Sequence, residues 1–312
     1  MDGALKTGPA DNAGKYFILN GVTGEASGIP AYDENSGLTA YEVVRVIKRK
    51  PLFFEDHMDR MDRSLSAVGY SLKDAFGIGY SDVYKDRGFP GDDFHKGRFE
   101  ALCVAIAAQI QLLAEINSLQ DFNIKITAFP EQEGKFSSMI YIKKSKYPSP
   151  DEISTGVKAR TALIERVSPN AKIERADYKA RVAEAFASDP DAYEILLRDR
   201  KGFVTEGSKS NLFTVIGETV VTAPGEQVLK GITRQYIFEA CKRQNIKTEE
   251  KPVSMNELLK ADGLFISGTS IKVLPVSYVD GIRFMSPRNN IIKRISQEYE
   301  KIIDEYLNSS RA

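Results

Sequence analysis

Apolar and polar residues alternate over residues 39–47, a stretch that is also rich in β-branched residues, which predicts a strand. A short apolar stretch at 16–20 predicts a second strand, and 52–54 is expected to complete a hairpin after a turn at 48–51. Over 56–68 the apolar residues Met58, Met61, Leu65 and Val68 recur at the spacing of one helix face. The first part of the chain therefore mixes strands and helices.

The rest of the chain continues this mixture. Further strands are predicted at 123–128, 139–143, 157–164, 193–198, 203–205, 212–216, 220–222 and 263–267. Further helices are predicted at 94–114, 178–187, 233–243, 254–260 and 291–307. The pattern predicts an α+β or α/β protein.

A break in composition divides the chain. Residues 146–154 read KYPSPDEIS, with two prolines and few apolar side chains to bury. We therefore predict a small N-terminal α/β domain over 1–148, with residues 1–15 frayed, a linker over 149–155, and a larger C-terminal domain over 156–312.

Charge and apolar content exclude several classes of protein. Lys plus Arg and Asp plus Glu each number 43 among 312 residues, so the basic excess of a nucleic-acid-binding protein is missing. The most apolar long stretch, 101–116, is interrupted by Gln109, Gln111 and Glu115, and we expect it not to span a membrane. The first 15 residues do not resemble a signal peptide and the chain has two cysteines, which favours a cytoplasmic location.

The chain has only two histidines, His57 and His95, and neither lies near a cysteine at the spacing of metal ligands. A zinc site and a Ser-His-Asp triad are both disfavoured. The sequence instead points to chemistry carried by a lysine or by a cofactor.

Two segments have the composition of phosphate sites. Lys230-Gly231-Ile232-Thr233 leads into a helix whose first N–H groups favour an anion, with Thr233 as a candidate cap. Gly268-Thr269-Ser270 follows an apolar strand, where ligands tend to bind. An ordinary capped helix and a plain turn remain open as alternatives at this stage.

Glu206 is a carboxylate at the end of a strand, followed at once by Gly207. In this position it could hold a proton on a heterocyclic nitrogen. A solvated loop carboxylate is the alternative.

Several motifs together resemble one family. The stretches VTEGSKSNLF, LKGITR and SGTS occur in order, preceded by YEVVR at 41–45 and FFEDHMDRMDRS at 53–64. They resemble the class IV aminotransferases, the fold-type-IV pyridoxal-phosphate enzymes, which include branched-chain aminotransferases, D-amino-acid aminotransferases and aminodeoxychorismate lyase. The resemblance covers about residues 16–281 and is closest to the branched-chain enzymes.

The resemblance implies a homodimer that binds pyridoxal 5′-phosphate in the cleft between its domains. It implies transamination between an amino acid and a 2-oxo acid, with a lyase or a non-catalytic cofactor-binding protein as alternatives. The cofactor-binding residues that it implies are Arg60 and Thr269 at the phosphate, Ile232 and Thr233 through backbone amides, Glu206 at the pyridine nitrogen, and Tyr178 at the phenolic oxygen.

The family requires a lysine that forms an imine with the cofactor and then moves a proton. Lys172 precedes Asp177-Tyr178 by a longer spacing than usual, but it follows a Pro-x-Ala stretch like the family's. It also lies 34 positions before Glu206, as in the branched-chain enzymes. Lys172 is therefore the preferred catalytic residue, and Lys179 is its rival.

The substrate-binding residues depart more from the family pattern. The resemblance places Tyr41 at the side-chain pocket and assigns Lys125 and Ser270 to substrate binding. Ser36 stands where the branched-chain enzymes have a tyrosine, and the arginine of the D-amino-acid enzymes would fall near Ala128. Residues 70–96 have no counterpart and are expected to form a surface insertion, with a role at the substrate pocket or the dimer contact as the alternative.

Overall fold

The computed structural model describes residues 9–32, 38–77, 92–131, 135–166 and 169–309. The chain forms two compact units, and each is assembled from more than one segment. The first unit comprises residues 1–145, 171–175 and 306–312, and the second comprises 146–170 and 176–305.

The first unit is built on an antiparallel sheet. Its strands are β1 (Asn12–Leu19), β2 (Val22–Glu25), β3 (Ala40–Ile47), β4 (Lys50–Pro51), β5 (Phe122–Pro130) and β6 (Phe136–Lys143). They lie in the order β2-β1-β6-β5-β3-β4. Along β3 every second residue is buried, beginning at Ala40, as the alternating pattern predicts.

Helices cover the buried face of this sheet. They are α1 (Phe54–Ser66), α2 (Leu72–Phe76) and α3 (Asp92–Ile116). Met58, Met61 and Leu65 of α1 are completely buried against Val44 and Ile124 in one apolar core. Burial of such side chains contributes roughly 1.5–3 kcal/mol each, which fixes α1 and the polar residues that it carries.

Helix α3 qualifies our expectation about membrane spans. Within it, Gly97–Ile116 is long and apolar enough to cross a membrane by length and composition alone. The core helix of a globular protein passes the same test, and Leu102, Ile106, Ile110 and Leu113 are buried in the core of the first unit. One face of α3 thus packs into the core of the first unit, and 33% of the apolar segment is buried.

Two short segments from later in the chain complete the first unit. Ile173 forms an isolated antiparallel bridge with Ala40, and Glu174 N–H donates to the carbonyl of Thr39 over 2.9 Å. The hydroxyl of Tyr306 accepts a hydrogen bond from the N–H of Phe54 at the start of α1 over 3.0 Å. Residues 171–175 thus extend the edge of β3, and Tyr306 occupies the N-terminus of α1.

The second unit contains a larger mixed sheet. Its strands are β7 (Val157–Leu163), β8 (Glu194–Arg198), β9 (Phe203–Gly207), β10 (Asn211–Ile216), β11 (Thr219–Thr222), β12 (Lys247–Glu250), β13 (Val253–Ser254), β14 (Gly263–Gly268), β15 (Lys272–Val279) and β16 (Ile282–Arg283). The main order is β12-β11-β10-β14-β15-β7-β8-β9-β13, and β16 pairs with β15. The strand β15 is antiparallel to β14 and parallel to β7, so it joins the two halves of the sheet.

The helices of the second unit are α4 (Pro150–Thr155), α5 (Ala176–Ser188), α6 (Ile232–Arg243), α7 (Met255–Leu259) and most of α8 (Asn290–Asn308). The segment 149–155, expected to be a linker, contains α4. Ser149 and Glu152 form a reciprocal capping box there, and Pro150 lies in the first turn, where a proline is tolerated. The domain limits predicted at 148 and 156 stay a prediction.

Other differences from the predicted elements are local. Residues 52–54 are not a strand, because β4 is limited to Lys50–Pro51 and α1 already begins at Phe54. The strand β15 escaped prediction even though it is central to its sheet. It lacks an alternating pattern, because most of its residues are buried.

Candidate functional site

A carboxylate and a guanidinium lie inside the first unit. Glu42, on the buried face of β3, is 0% exposed, and Arg60 of α1 is 3% exposed. Arg60 Nε donates to Glu42 Oε1 over 2.8 Å, and Nη2 donates to Oε2 over 2.6 Å. This two-point pairing fixes the plane of the guanidinium.

His57 also contacts this carboxylate, with Nδ1 2.7 Å from Glu42 Oε2. Burial alone would raise the pKa of Glu42, but the charges of Arg60 and Lys172 outweigh it and hold this pKa far below its usual range. Burial lowers the pKa of His57 despite the bond to Glu42. Because an ionised carboxylate only accepts hydrogen bonds, we assign the Nδ1 proton to a neutral His57.

Lys172, the preferred catalytic lysine, lies beside the same carboxylate. Its Nζ is 3.8 Å from Glu42 Oε2, and its side chain is 12% exposed. The ammonium also lies 5.3 Å from the centre of the Tyr41 ring. The backbone of Lys172 is fixed on both sides, because its N–H donates to Ser64 Oγ over 3.0 Å and its carbonyl accepts from Tyr41 N–H over 3.1 Å.

The rival lysine is in a different environment. Lys179 is exposed in the first half of α5, within the second unit. The structure therefore brings Lys172, Arg60 and Tyr41 together in the first unit and leaves Lys179 at the surface.

Lys125 is paired with a carboxylate of its own unit. Its Nζ lies 2.6 Å from Glu174 Oε1, and the side chains are 5% and 2% exposed. Lys125 also donates to the hydroxyl of Tyr32 over 3.1 Å and lies 5.1 Å from the centre of the Tyr41 ring. Burial lowers the pKa of Lys125, but the charge of Glu174 more than reverses this, so the net shift is upward and the ammonium stays charged.

The centre of the Tyr41 ring therefore lies 5.3 Å from the ammonium of Lys172 and 5.1 Å from that of Lys125. Ala128 lies on β5 at the register position opposite Ala40 and is completely buried. Ser36 lies outside the residues that the structure describes, as do residues 78–91 of the segment expected to be an insertion. The substrate-binding assignments of Tyr41, Lys125 and Ser270 stay predictions.

In the second unit, Glu206 stands at the end of β9 and is 2% exposed. Its Oε1 accepts from Arg166 Nη1 over 3.2 Å, and its Oε2 accepts from the N–H of Leu229 over 3.1 Å. Burial raises the pKa of Glu206 to about 7, and the opposing effects of Arg166 and Leu229 reduce this rise without cancelling it. The carboxyl can therefore hold or give up a proton near neutral pH.

Asn211, the first residue of β10, connects Glu206 to the loop that precedes α6. Its Nδ2 donates to Glu206 Oε2 over 3.3 Å and to the carbonyl of Leu229 over 2.8 Å. A Cβ added at Gly231 would lie 2.3 Å from Asn211 Oδ1, so this close approach requires glycine. Gly231 itself is the N-cap of α6, and Thr233 lies inside the helix instead of capping it.

The N-terminus of α6 is the candidate phosphate site. Ile232 and Thr233 are its first two residues, and their amides belong to the first turn, whose N–H groups have no helical acceptor. The side chain of Thr233 hydrogen-bonds Tyr299 of α8. It therefore contributes to packing, while its backbone amide remains in the first turn.

The pairing of β10 with β14 brings the turn that contains Thr269 and Ser270 towards Asn211. Asn211 pairs with Ser267, and Thr269 and Ser270 form the turn after β14. The side chains of directly paired residues lie on one face of a sheet. Ser267 Oγ is buried there without a hydrogen-bond partner among the described residues, as expected where a polar ligand would bind.

The loop after Glu206 is held by another buried carboxylate. Glu194 accepts from Ser208 Oγ over 2.6 Å and from Ser210 Oγ over 2.8 Å. The Tyr178 hydroxyl donates to the carbonyl of Ser208 over 2.7 Å. The guanidinium carbon of Arg166 lies 4.9 Å from the centre of the Tyr178 ring. Tyr178, Glu206 and the start of α6 thus belong to one connected cluster.

The sequence analysis did not single out several residues of these clusters, among them Glu42, Arg166, Glu194 and Asn211. Glu42 carried a usable signal, because it occupies the apolar phase of the alternation that Ala40, Val44 and Val46 define. A carboxylate in that phase must be buried and therefore paired. The roles of Arg166, Glu194 and Asn211 depend on contacts between residues distant in sequence.

Comparison with known proteins identifies the family. A family model described as amino-transferase class IV matches residues 39–279. A D-alanine aminotransferase from Bacillus licheniformis is 39% identical over 33% of this chain and 34% of its own. A branched-chain-amino-acid aminotransferase from Pseudomonas aeruginosa is 27% identical over 50% of this chain and 53% of its own.

The chain spans about half, or less, of the length of the first curated relatives that it matches. The structural similarity to solved proteins covers more of the chain than these sequence matches do. The T.th. branched-chain amino acid aminotransferase in complex with N-(5′-phosphopyridoxyl)-L-glutamate superposes with a TM-score of 0.73 at 18% identity, covering 95% of this chain and 96% of that one. The predicted fold type IV is thereby confirmed. The chain belongs to the amino-transferase class IV family.

Proposed function

We propose that this protein is a pyridoxal-phosphate-dependent aminotransferase that moves an amino group between an amino acid and a 2-oxo acid, with substrates like those of branched-chain aminotransferases. The contact that carries the proposal is the one between Glu206 and the loop before α6. Asn211 joins the carboxylate to the start of a helix whose first amides favour phosphate. The candidate partner of the ring nitrogen and the candidate phosphate site are joined through Asn211 within the second unit, which supports one cofactor that carries both groups.

The donor set fits this cofactor. The start of α6 offers backbone amides, Gly231 permits the close approach of Asn211 to that helix start, and the buried Ser267 hydroxyl adds a polar group. In the first unit Lys172 supplies an amine and Arg60 supplies a guanidinium. The relative in complex with a phosphopyridoxyl-glutamate supports the same choice of cofactor and an amino-acid substrate.

When bound, pyridoxal phosphate supplies an electron-poor ring that stabilises the negative charge left on a substrate carbon when it loses its α-proton. Glu206 would hold a proton at the ring nitrogen. Arg60 and the amides of Ile232 and Thr233 would bind the phosphate, with Thr269 beside them. Lys172 would attach covalently to the cofactor, and its freed amine would then move the α-proton.

We also infer a homodimer and a cytoplasmic location. The homodimer rests on the family resemblance, and the location rests on the two cysteines, Cys103 and Cys241, which are buried and not joined in a disulfide. Sedimentation of the cofactor-loaded protein at several concentrations tests the dimer.

Absorbance spectra test the cofactor and the lysine. The wild-type protein mixed with pyridoxal 5′-phosphate should gain a visible band that borohydride removes. Lys172→Ala should abolish this band. Lys179→Ala is the matched control, because Lys179 is exposed on α5, and it should keep the band. A band that persists in Lys172→Ala and disappears in Lys179→Ala would refute the assignment.

Turnover tests the reaction. With a panel of amino donors and 2-oxo acid acceptors, we expect amino transfer that depends on both partners and is lost in Lys172→Ala. Release of pyruvate from aminodeoxychorismate without any acceptor would indicate the lyase instead. A coloured protein that turns over neither set would be a non-catalytic cofactor-binding protein.

A further inference from the structure

The buried carboxylate of Glu42 connects two residues that have separate tasks in the proposed function. It lies 2.6 Å from Arg60 Nη2 and 3.8 Å from Lys172 Nζ, both measured from Oε2. Arg60 is the candidate ligand of the cofactor phosphate, and Lys172 is the candidate for its covalent attachment. Glu42 would itself touch neither the cofactor nor the substrate in that scheme.

One face of α1 builds this cluster. His57, Arg60 and Ser64 recur at intervals of three and four, so their side chains project from the same side of the helix. His57 and Arg60 contact Glu42, while Ser64 Oγ donates to the carbonyl of Arg60 over 2.9 Å and accepts from the N–H of Lys172 over 3.0 Å. The backbone of Lys172 and its ammonium are therefore tied to the same helix face.

The charges explain why a carboxylate is required. Arg60 is a buried cation and Lys172 is a cation with a side chain 12% exposed, and Glu42 is the anion close to both, while His57 adds one hydrogen bond. Without the anion, two like charges would lie near each other in a poorly solvated site, and the guanidinium would lose the two carboxylate oxygens that accept from its Nε and Nη2. The orientation of Arg60 and the position of the Lys172 amine thus depend on the same group.

We propose that Glu42 is a positioning residue that orients Arg60 towards the cofactor phosphate and holds the Lys172 amine in place until it is attached. This inference rests on the proposed function. It predicts that loss of Glu42 weakens recognition of the phosphate in particular, beyond a general weakening of the fold.

The test compares pyridoxal 5′-phosphate with pyridoxal, which has the same aldehyde and ring but no phosphate. For each variant, the dissociation constants of the two compounds are measured by absorbance titration of the cofactor-free protein. The ratio of the pyridoxal constant to the pyridoxal 5′-phosphate constant reports phosphate recognition. In the wild type the phosphate form should bind far more tightly, and Arg60→Gln should reduce the ratio.

Glu42→Gln should reduce the ratio at least about tenfold, because an amide N–H faces the guanidinium where a charged acceptor stood. In the double variant Glu42→Gln/Arg60→Gln the ratio should fall no further than in Arg60→Gln alone, since Glu42 acts through Arg60. Glu298→Gln is the matched control, because Glu298 is also a buried carboxylate, with Gln244 and Lys301 as partners on the second unit. It should keep the wild-type ratio within about twofold.

Glu42→Asp is a second variant, which provides the test if Glu42→Gln does not fold. It keeps the charge and withdraws the carboxylate by one methylene, and it should also lower the ratio. If Glu42→Gln folds and keeps a wild-type ratio, or if it does not fold and Glu42→Asp keeps one, the inference is refuted. A wild-type protein that forms no borohydride-sensitive band with pyridoxal 5′-phosphate would instead refute the proposed function, so the two failures are distinguishable.

Discussion

The ammonium of Lys125 and the carboxylate of Glu174 form an ion pair of 2.6 Å in which both side chains are at least 95% buried. The two residues come from β5 and from the short segment that extends β3. A buried ion pair adds little net stability, but removal of one partner leaves an unpaired charge. This pairing competes with the substrate-binding role predicted for Lys125.

Lys125→Met should therefore destabilise the cofactor-free protein by about 3–5 kcal/mol, measured by urea unfolding. The double variant Lys125→Met/Glu174→Met should recover most of that loss. Arg63→Met, which breaks an exposed pair with Asp59, is the control and should change stability by at most about 0.5 kcal/mol. A Lys125→Met protein of normal stability but raised KM for the amino acid would favour the substrate-binding role.

Gly231→Ala tests the contact between the start of α6 and Asn211. The added Cβ would lie 2.3 Å from Asn211 Oδ1, and the displacement should cost about 1–3 kcal/mol of stability. It should also weaken the binding of pyridoxal 5′-phosphate. Gly28→Ala is the control, because a Cβ there would meet nothing within 4 Å. If the two variants have equal stability and equal affinity for pyridoxal 5′-phosphate, the contact between Gly231 and Asn211 does not require glycine.

Glu206→Gln tests the raised pKa of the buried carboxyl. Between the ordinary pKa of 4.5 and the folded value of about 7, the folded protein binds a proton that the unfolded chain releases. The contribution of Glu206 to stability therefore falls as pH rises through this range. Glutamine does not titrate. The free energy of unfolding of the variant, relative to that of the wild type, should therefore rise by about 3 kcal/mol between pH 4 and pH 8.

Urea unfolding of both cofactor-free proteins at those two pH values measures this difference. The other carboxyl groups are common to both and cancel. A difference that is independent of pH would show that the fold does not shift the pKa of Glu206, and one that shrinks as pH rises would show that Arg166 lowers it.

Tyr306→Phe tests the cap on α1. The Tyr306 hydroxyl accepts from Phe54 N–H over 3.0 Å and donates to Glu55 over 2.7 Å, while its ring packs edge-on against Phe53. The variant keeps the ring and loses both hydrogen bonds, which should cost about 1–2 kcal/mol in thermal or urea unfolding. Tyr278→Phe, on β15, is the control. If both variants have the stability of the wild type, the hydroxyl is not a cap.

Much of the fold could be predicted because it is local. The alternation over 39–47 and the helix spacing over 56–68 correspond to β3 and α1 within a few residues. The missing strand β15 and the unexpected helix α4 show the limits of this approach. Burial on both faces hides the alternation of a central strand, and a capping box can support a helix in a segment that looks like a linker.

The sequence nominates candidate site residues where a single residue type is needed, as for Lys172 and Glu206, and these assignments stay predictions. The site was not predictable where a residue serves another residue. Asn211 matters because it reaches both Glu206 and Leu229, and Lys125 is occupied because Glu174 arrives from a segment nearly 50 positions later. Such partners depend on tertiary pairing that no local pattern reveals.

The position of β15 also affects how the chain can assemble during translation. This strand lies between β14 and β7, and it belongs to the last part of the second unit to be made. A nascent chain that has emerged only as far as residue 271 holds two partial sheets, each with an unpaired edge where β15 will insert. Long-range pairing of this kind is slow and leaves strand edges open to aggregation. We therefore expect a protein truncated before β15 to require chaperones or to aggregate, instead of persisting as a stable half.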